Sequence, residues 1–178
     1  MKNYLGIILI FLFLSFASVS CEDLFGFLNF DSKEYTLEFV VTPIHTIGYH
    51  IFKEEVVVAD LDSILAANDV SKERLKEATI KEATASITSP DTTVFFDPLA
   101  SFKVTIYTDN LGETTIAEMD PVPDGVRELT LTLKKDDLID YLYEPEFMLS
   151  GVGVISEQTP KPIPVLVKVK FNFKAGLN

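Results

Sequence analysis

The chain has 178 residues, with one cysteine, two histidines and no tryptophan. A single cysteine excludes an intramolecular disulfide, and two histidines without a neighbouring cysteine disfavour a zinc site. Basic residues are also scarce: 15 lysines and arginines against 27 acids leave a net charge of −12. Binding to DNA or RNA depends on cations that neutralise phosphates, so we expect no nucleic-acid partner.

Motifs for catalysis are missing as well. No G-x-S-x-G elbow is present, and His45 and His50 are the only imidazoles for a Ser–His–acid triad. A spacing of five residues puts the two on opposite faces of a regular strand, although a loop at Gly48 would change that. Gly151-Val152-Gly153 precedes no helix and predicts a bulge or a close backbone approach. We expect no enzyme, no cofactor and no bound metal.

The chain does begin with an export signal. Lys2 precedes an uncharged apolar run from Leu5 to Phe16, and small residues follow up to Cys21. This order of charged, apolar and small-residue segments is typical of a secretory signal peptide, which we place at residues 1–20.

Cys21 follows Ser18-Val19-Ser20 and precedes Glu22-Asp23. This segment resembles the lipobox of bacterial lipoproteins, although Ser18 stands where that family usually has an aliphatic residue. The two acids resemble the export signal of certain Gram-negative surface lipoproteins. The resemblance implies acylation of Cys21 and attachment to the cell envelope, at the outer membrane. The alternative is cleavage at the same bond by the general signal peptidase, which gives a secreted protein with a free thiol.

Alternation of apolar and polar residues dominates the rest of the chain and predicts strands with one wet face. The clearest example is the last strand, whose apolar face is Val165, Val167, Val169, Phe171 and Phe173. Its other face carries lysines, which are typical of a strand that must resist pairing with another molecule. Eight strands are predicted, at residues 35–41, 49–58, 80–88, 102–107, 115–119, 129–133, 147–155 and 165–173.

Short helices are predicted at Leu61–Ala67 and Asp137–Tyr143, with a further short helix that ends at Lys76. The pattern predicts an all-β protein, an antiparallel Greek-key or immunoglobulin-like β-sandwich of about eight strands with two or three short helices. The domain boundaries follow: a signal peptide at 1–20, a lipid-anchored tether at 21–30 and one domain at 31–178. Residues 35–58 would form a hairpin added to the core.

The function we expect is that of a lipid-anchored envelope protein, acting as a protein-interaction, adhesion or structural module on an envelope or surface partner. The alternative is a module that binds a carbohydrate or another small ligand. Tyr107 is its candidate aromatic side chain, because alternation with buried neighbours turns it outward, although packing on adjacent strands explains that position too. The carboxylates around Asp60 and Asp120 could supply oxygen ligands, and the sequence does not decide whether either group binds calcium. A hydrolase would need two converging carboxylates.

Overall fold

The structure is a computed structural model that describes residues 26–177. Within this range it contains ten strands: β1 (Phe27–Asp31), β2 (Tyr35–Val41), β3 (Gly48–Val58), β4 (Leu75–Ile87), β5 (Leu99–Thr108), β6 (Gly112–Met119), β7 (Glu128–Thr130), β8 (Thr132–Leu133), β9 (Glu146–Ile155) and β10 (Ile163–Gly176). Two α-helices, α1 (Leu61–Ala67) and α2 (Ile139–Tyr143), and a 3₁₀ turn (Lys72–Arg74) interrupt them. The helix predicted at Leu61–Ala67 is confirmed, and the second helix begins two residues later than predicted.

The strands form two sheets of five strands each. In sheet A, β10 pairs with β4 along one edge and with both β1 and β2 along the other, and β4 pairs with β7. Sheet B has the order β3-β9-β5-β6-β8. Every pairing is antiparallel, so the prediction of an antiparallel all-β fold is confirmed.

The inner faces of the two sheets share one hydrophobic core. Phe39 of β2 stacks on Phe102 of β5, with ring centroids 6.1 Å apart. At the other end of the core, Phe147 of β9 makes edge-to-face contacts with Tyr35 and Phe171 of sheet A. Aromatic pairs of this kind add about 0.5–1.5 kcal/mol to the burial of their surface, so they bind the two sheets together.

β10 alternates as predicted, with its apolar side chains buried and its lysines half exposed. The prediction that these lysines protect a sheet edge is wrong, because β10 has a neighbour on both sides. Lys168 instead contacts Glu34 at 2.9 Å, and Lys174 lies 3.9 Å from Glu77 on β4. The lysines therefore pair with acids of the same molecule.

The predicted strand count and tether boundary also need correction. β1 pairs with the last residues of β10, so Phe27 to Phe30 belong to the domain and not to the tether. Between β1 and β2, the backbone N–H of Ser32 donates to the Phe171 carbonyl, and Ser32 Oγ accepts from the Phe171 N–H. These two hydrogen bonds of Ser32 continue the pairing with β10 across the gap between β1 and β2. The two strands therefore form one continuous edge of sheet A.

Two predicted single elements are divided between the sheets. The segment expected as one strand at 129–133 passes from sheet A to sheet B at Leu131, which separates β7 from β8. The hairpin expected at 35–58 does not form, because β2 pairs with β10 and β3 pairs with β9. Residues 42–47 therefore connect the two sheets.

Candidate functional site

The start of the described chain and three of the long loops lie at opposite ends of the fold. β1 pairs with the last residues of β10, so the start of the described chain lies at the end where β10 finishes. β2 and β4 both finish where β10 begins. The loops at 42–47, 88–98 and 156–162 therefore meet at the opposite end, which we call the distal end. With 14 residues in β10, the two ends lie roughly 40 Å apart.

Among residues 26–177, ten large apolar side chains are exposed, and six of them lie between Ile44 and Val58. Four belong to β3, and we call them the β3 stripe: Tyr49, Ile51, Val56 and Val58. Each is between 52% and 67% exposed. Their opposite residues on β9 include Val152 and Met148, and opposite residues in a sheet share a face. The stripe therefore lies on the outer face of sheet B.

A β-bulge explains why these side chains lie on one face. The register of β3 against β9 shifts between Ile51 and Lys53, which leaves Phe52 as the extra residue. The Phe52 ring stacks at 5.3 Å on Phe39 and so belongs to the inner side of the sheet. Beyond the bulge the even-numbered residues point outward, so Glu54 lies in the middle of the stripe.

Ile44 and Ile47 continue the apolar surface at the distal end. They are 86% and 68% exposed, the two highest values among the large apolar side chains of residues 26–177. The loop also brings the rings of His45 and His50 together, with centroids 5.1 Å apart. A regular strand would place these two rings on opposite faces, and the turn before β3 brings them to the same side. Gly48 in this turn has a φ of +130°, a conformation in which a residue with a side chain would be strained.

The histidine pair is poorly suited to bind a metal. His45 Nδ1 accepts the backbone N–H of Thr42 at 2.9 Å, so its lone pair is already used. His50 Nε2 lies 2.6 Å from the Thr46 carbonyl, to which a protonated ring nitrogen donates. Only one imidazole lone pair thus remains free without breaking a hydrogen bond. Across residues 26–177, no three His, Cys, Asp or Glu side chains lie close enough together to hold a metal ion.

The loop at 88–98 is held by Arg127. Its guanidinium donates to the carbonyls of Ser89, Asp91 and Val94 at 2.6–2.8 Å. Hydrogen bonds from Lys161 and Thr93 hold the pKa of Asp91 well below its usual range. Thr93 and Lys161 line a distal cavity of about 170 Å³ together with Phe95, whereas Phe96 is buried in the core.

A groove of about 340 Å³ runs along the outer face of sheet B over β5 and β9. Tyr49 forms one wall, and Thr105 lies in the floor. Thr105 and its cross-strand neighbour Ser150 are each 2% exposed. Within the described chain neither hydroxyl has a hydrogen-bond partner. An unpaired buried hydroxyl costs about 1–3 kcal/mol, so these two positions are unusual.

Tyr107, the predicted ligand-face aromatic, lies on this outer face, opposite Met148 of β9. It lines an open cleft of about 470 Å³ together with Val56. Its hydroxyl donates to Asp109 at 3.0 Å, and this hydrogen bond raises the pKa of Tyr107. Because the hydroxyl is already bonded to Asp109, Tyr107 is a weaker candidate for ligand contact than Tyr49, which the sequence did not single out.

The predicted glycine pair has the role expected of it. A Cβ atom on Gly153 would lie 2.5 Å from the Ser101 carbonyl, and one on Gly151 would lie 3.3 Å from the Phe39 ring. Both glycines therefore allow a close approach. Cys21, the predicted lipidation site, lies outside the described residues. Within residues 26–177, no helix combines the length and the apolar character needed to span a bilayer.

No protein-family model matches the chain, and no curated protein is significantly similar to it in sequence.

Proposed function

We propose that the chain is a non-catalytic binding module, tethered to the bacterial cell envelope through acyl chains on Cys21. Its partner is a protein that docks on the β3 stripe and on Ile44 and Ile47. The fold we propose is a β-sandwich of the Greek-key type. The interleaving of β10 between β2 and β4, and of β9 between β3 and β5, supports that choice.

The observation that carries the proposal is the grouping of exposed apolar side chains between Ile44 and Val58. Burying one such side chain contributes about 1.5–3 kcal/mol, and soluble monomers rarely leave several exposed side by side. Sheet A makes the contrast, because its outer face carries paired charges. The apolar surface therefore favours a protein partner over a purely structural role.

The negative charge in and around the β3 stripe indicates which side chains the partner presents to it. Glu54 lies in the middle of the β3 stripe, and the whole chain has a net charge of −12. An acid inside an apolar surface favours a partner whose apolar side chains flank a lysine or arginine. It disfavours a lipid surface, because inserting the stripe would desolvate the carboxylate.

The position of the anchor also supports the proposal. Five peptide units separate Cys21 from Gly26, and they reach at most about 18 Å. Ile44 and Ile47 lie at the distal end, roughly 40 Å from the start of β1. A tethered module of this kind presents these side chains away from its attachment point.

Photo-crosslinking in the native envelope tests the partner. A photoreactive residue replaces Ile51 in one full-length variant and Thr36, exposed on sheet A, in the control. We expect one protein to be captured through position 51 and not through position 36. Adding Glu54→Lys is expected to reduce that capture, whereas Glu82→Lys, the same charge change on sheet A, leaves it intact. Equal capture from both positions, or none from position 51, contradicts the proposal.

The intact mass of the mature N-terminal peptide tests the anchor. A diacyl or triacyl mass on Cys21 in the membrane fraction supports envelope attachment. An unmodified Cys21 peptide in the soluble fraction supports the alternative, a secreted protein.

The groove over β5 and β9 favours a second candidate function, the binding of a carbohydrate or another small ligand. Its unpaired hydroxyl at Thr105 is the observation that supports this alternative.

A further inference from the structure

We infer that the groove over β5 and β9 is a binding site for a neutral polyhydroxylated ligand of about one sugar ring. This inference sharpens the second candidate function and does not depend on a protein partner at the β3 stripe.

The first step is the floor of the groove. Thr105 lines it, is 98% buried, and has an Oγ1 without a hydrogen-bond partner within the described residues. Binding requires another staggered χ1 position of Thr105, about 120° away, in which Oγ1 faces the groove. A ligand hydroxyl then supplies the partner that the protein lacks. The cost of an unpaired hydroxyl would in this way be removed on binding.

The second step is the polarity of the walls. Ser101 and Thr115, which also carry hydroxyls, line the groove beside Thr105. Glu113 and Asp120 are exposed at its margin and form no salt bridge within residues 26–177. Hydroxyls and free carboxylates are acceptors for the O–H donors of a polyol. The one cation lining the groove, Lys103, lies 3.5 Å from Glu118, so the two free carboxylates dominate its charge and repel an anion.

The third step is the apolar wall. Tyr49 is 61% exposed at one side of the groove, and Val152 and Val154 of β9 lie next to it. A sugar ring has an apolar C–H face and a rim of hydroxyls, so it matches a site with one aromatic wall and polar walls elsewhere. At about 340 Å³, the groove is at the small end of the usual range of ligand sites, about 300–1,000 Å³.

A matched pair of variants tests the inference. Thr105→Val removes the unpaired hydroxyl of the groove, and Ser150→Ala removes the equally buried unpaired hydroxyl of its neighbour, which does not line the groove. Both are expected to fold and to raise Tm, because each removes an unsatisfied buried group. Only Thr105→Val is expected to weaken ligand binding.

The probes are methyl glycosides of neutral hexoses and N-acetylhexosamines, measured by saturation-transfer NMR and calorimetry on the mature full chain. We expect at least one to bind at millimolar concentration. Thr105→Val should weaken it about two- to tenfold, the effect of one neutral hydrogen bond, and Ser150→Ala should leave it unchanged. The inference is overturned if no glycoside binds the parent chain, or if both variants weaken binding equally. Crosslinking from position 51 is expected to be the same in Thr105→Val, which separates this test from that of the partner.

Discussion

The outer faces of the two sheets expose different side chains to solvent, paired charges on sheet A and apolar groups on sheet B. On sheet A, lysines of β4 and β10 pair with acids, as in the 2.5 Å contact between Lys81 and Asp31. On sheet B, the β3 stripe leaves aliphatic and aromatic side chains more than half exposed. Both sheets rest on the same core, so the difference does not come from the packing beneath them.

The contrast shows which outer face has its exposed side chains paired within the chain and which face leaves apolar side chains uncovered. The charge pairs of sheet A satisfy one another within the chain, and on its described strands only Phe27 and Val40 leave a large apolar side chain exposed. The stripe of sheet B lies on an edge strand that pairs with β9 alone within residues 26–177. An exposed apolar edge is a liability unless something covers it, which is why we propose sheet B as the face that binds a partner.

The largest expected effect comes from breaking the core that both faces share. Phe102→Ala removes a ring that is 1% exposed and that stacks on both Phe39 and Phe52. We expect it to lower the free energy of unfolding by about 3–5 kcal/mol. Urea denaturation measures the loss, and Phe27→Ala, at a half-exposed position, serves as the control. A loss below 1 kcal/mol for Phe102→Ala would show that the sheets do not share a core.

A smaller effect is expected where the core meets the surface, at Tyr35. Its hydroxyl donates to Asp60 at 2.6 Å, and Lys33 contacts the same carboxylate at 2.8 Å. Because Asp60 keeps its lysine, Tyr35→Phe should cost only about 1–2 kcal/mol near neutral pH.

Tyr35 also makes the stability of the core depend on pH in the alkaline range. Burial, and then the hydrogen bond to Asp60, raise the pKa of the Tyr35 hydroxyl. The folded state holds this proton more tightly, so its contribution is complete below about pH 10, the pKa of an unfolded tyrosine. Above that pH the unfolded chain ionises first and stability falls. Urea unfolding at pH 8 and pH 10.5 should show a smaller loss for Tyr35→Phe than for the parent chain. Equal losses contradict the assignment.

Much of the fold follows from alternation, and its successes have a common cause. β5 and β10 each bury one face in the core and have neighbours on both sides, so the period of two persists along them. Alternation does not say which strands are neighbours. The lysines of β10 therefore resembled edge protection, although their partners are acids brought close by the sheet.

The candidate surfaces were harder to predict, for reasons visible in β3. The bulge at Phe52 changes which residues face outward, so the apolar residues of 49–58 occupy both odd and even positions. Such a run is typical of a strand buried on both faces. The unpaired hydroxyls of Thr105 and Ser150 depend on the register between β5 and β9, which no local pattern records.

The smallest expected effect compares one side chain from each outer face. Lys168 and Glu34 are 44% and 48% exposed and 2.9 Å apart, so their pair should contribute about 0–1 kcal/mol. Lys168→Ala should lower stability by that amount in dilute buffer and by almost nothing in 1 M NaCl, where charges are screened within about 3 Å. Val56→Ala, on the β3 stripe, should change stability by about 0.5 kcal/mol or less at both salt concentrations, because no charge is involved. Urea denaturation at the two salt concentrations measures both variants. A salt-dependent change for Val56→Ala, or a salt-independent one for Lys168→Ala, would mean that the two faces do not differ in the way their exposed side chains indicate.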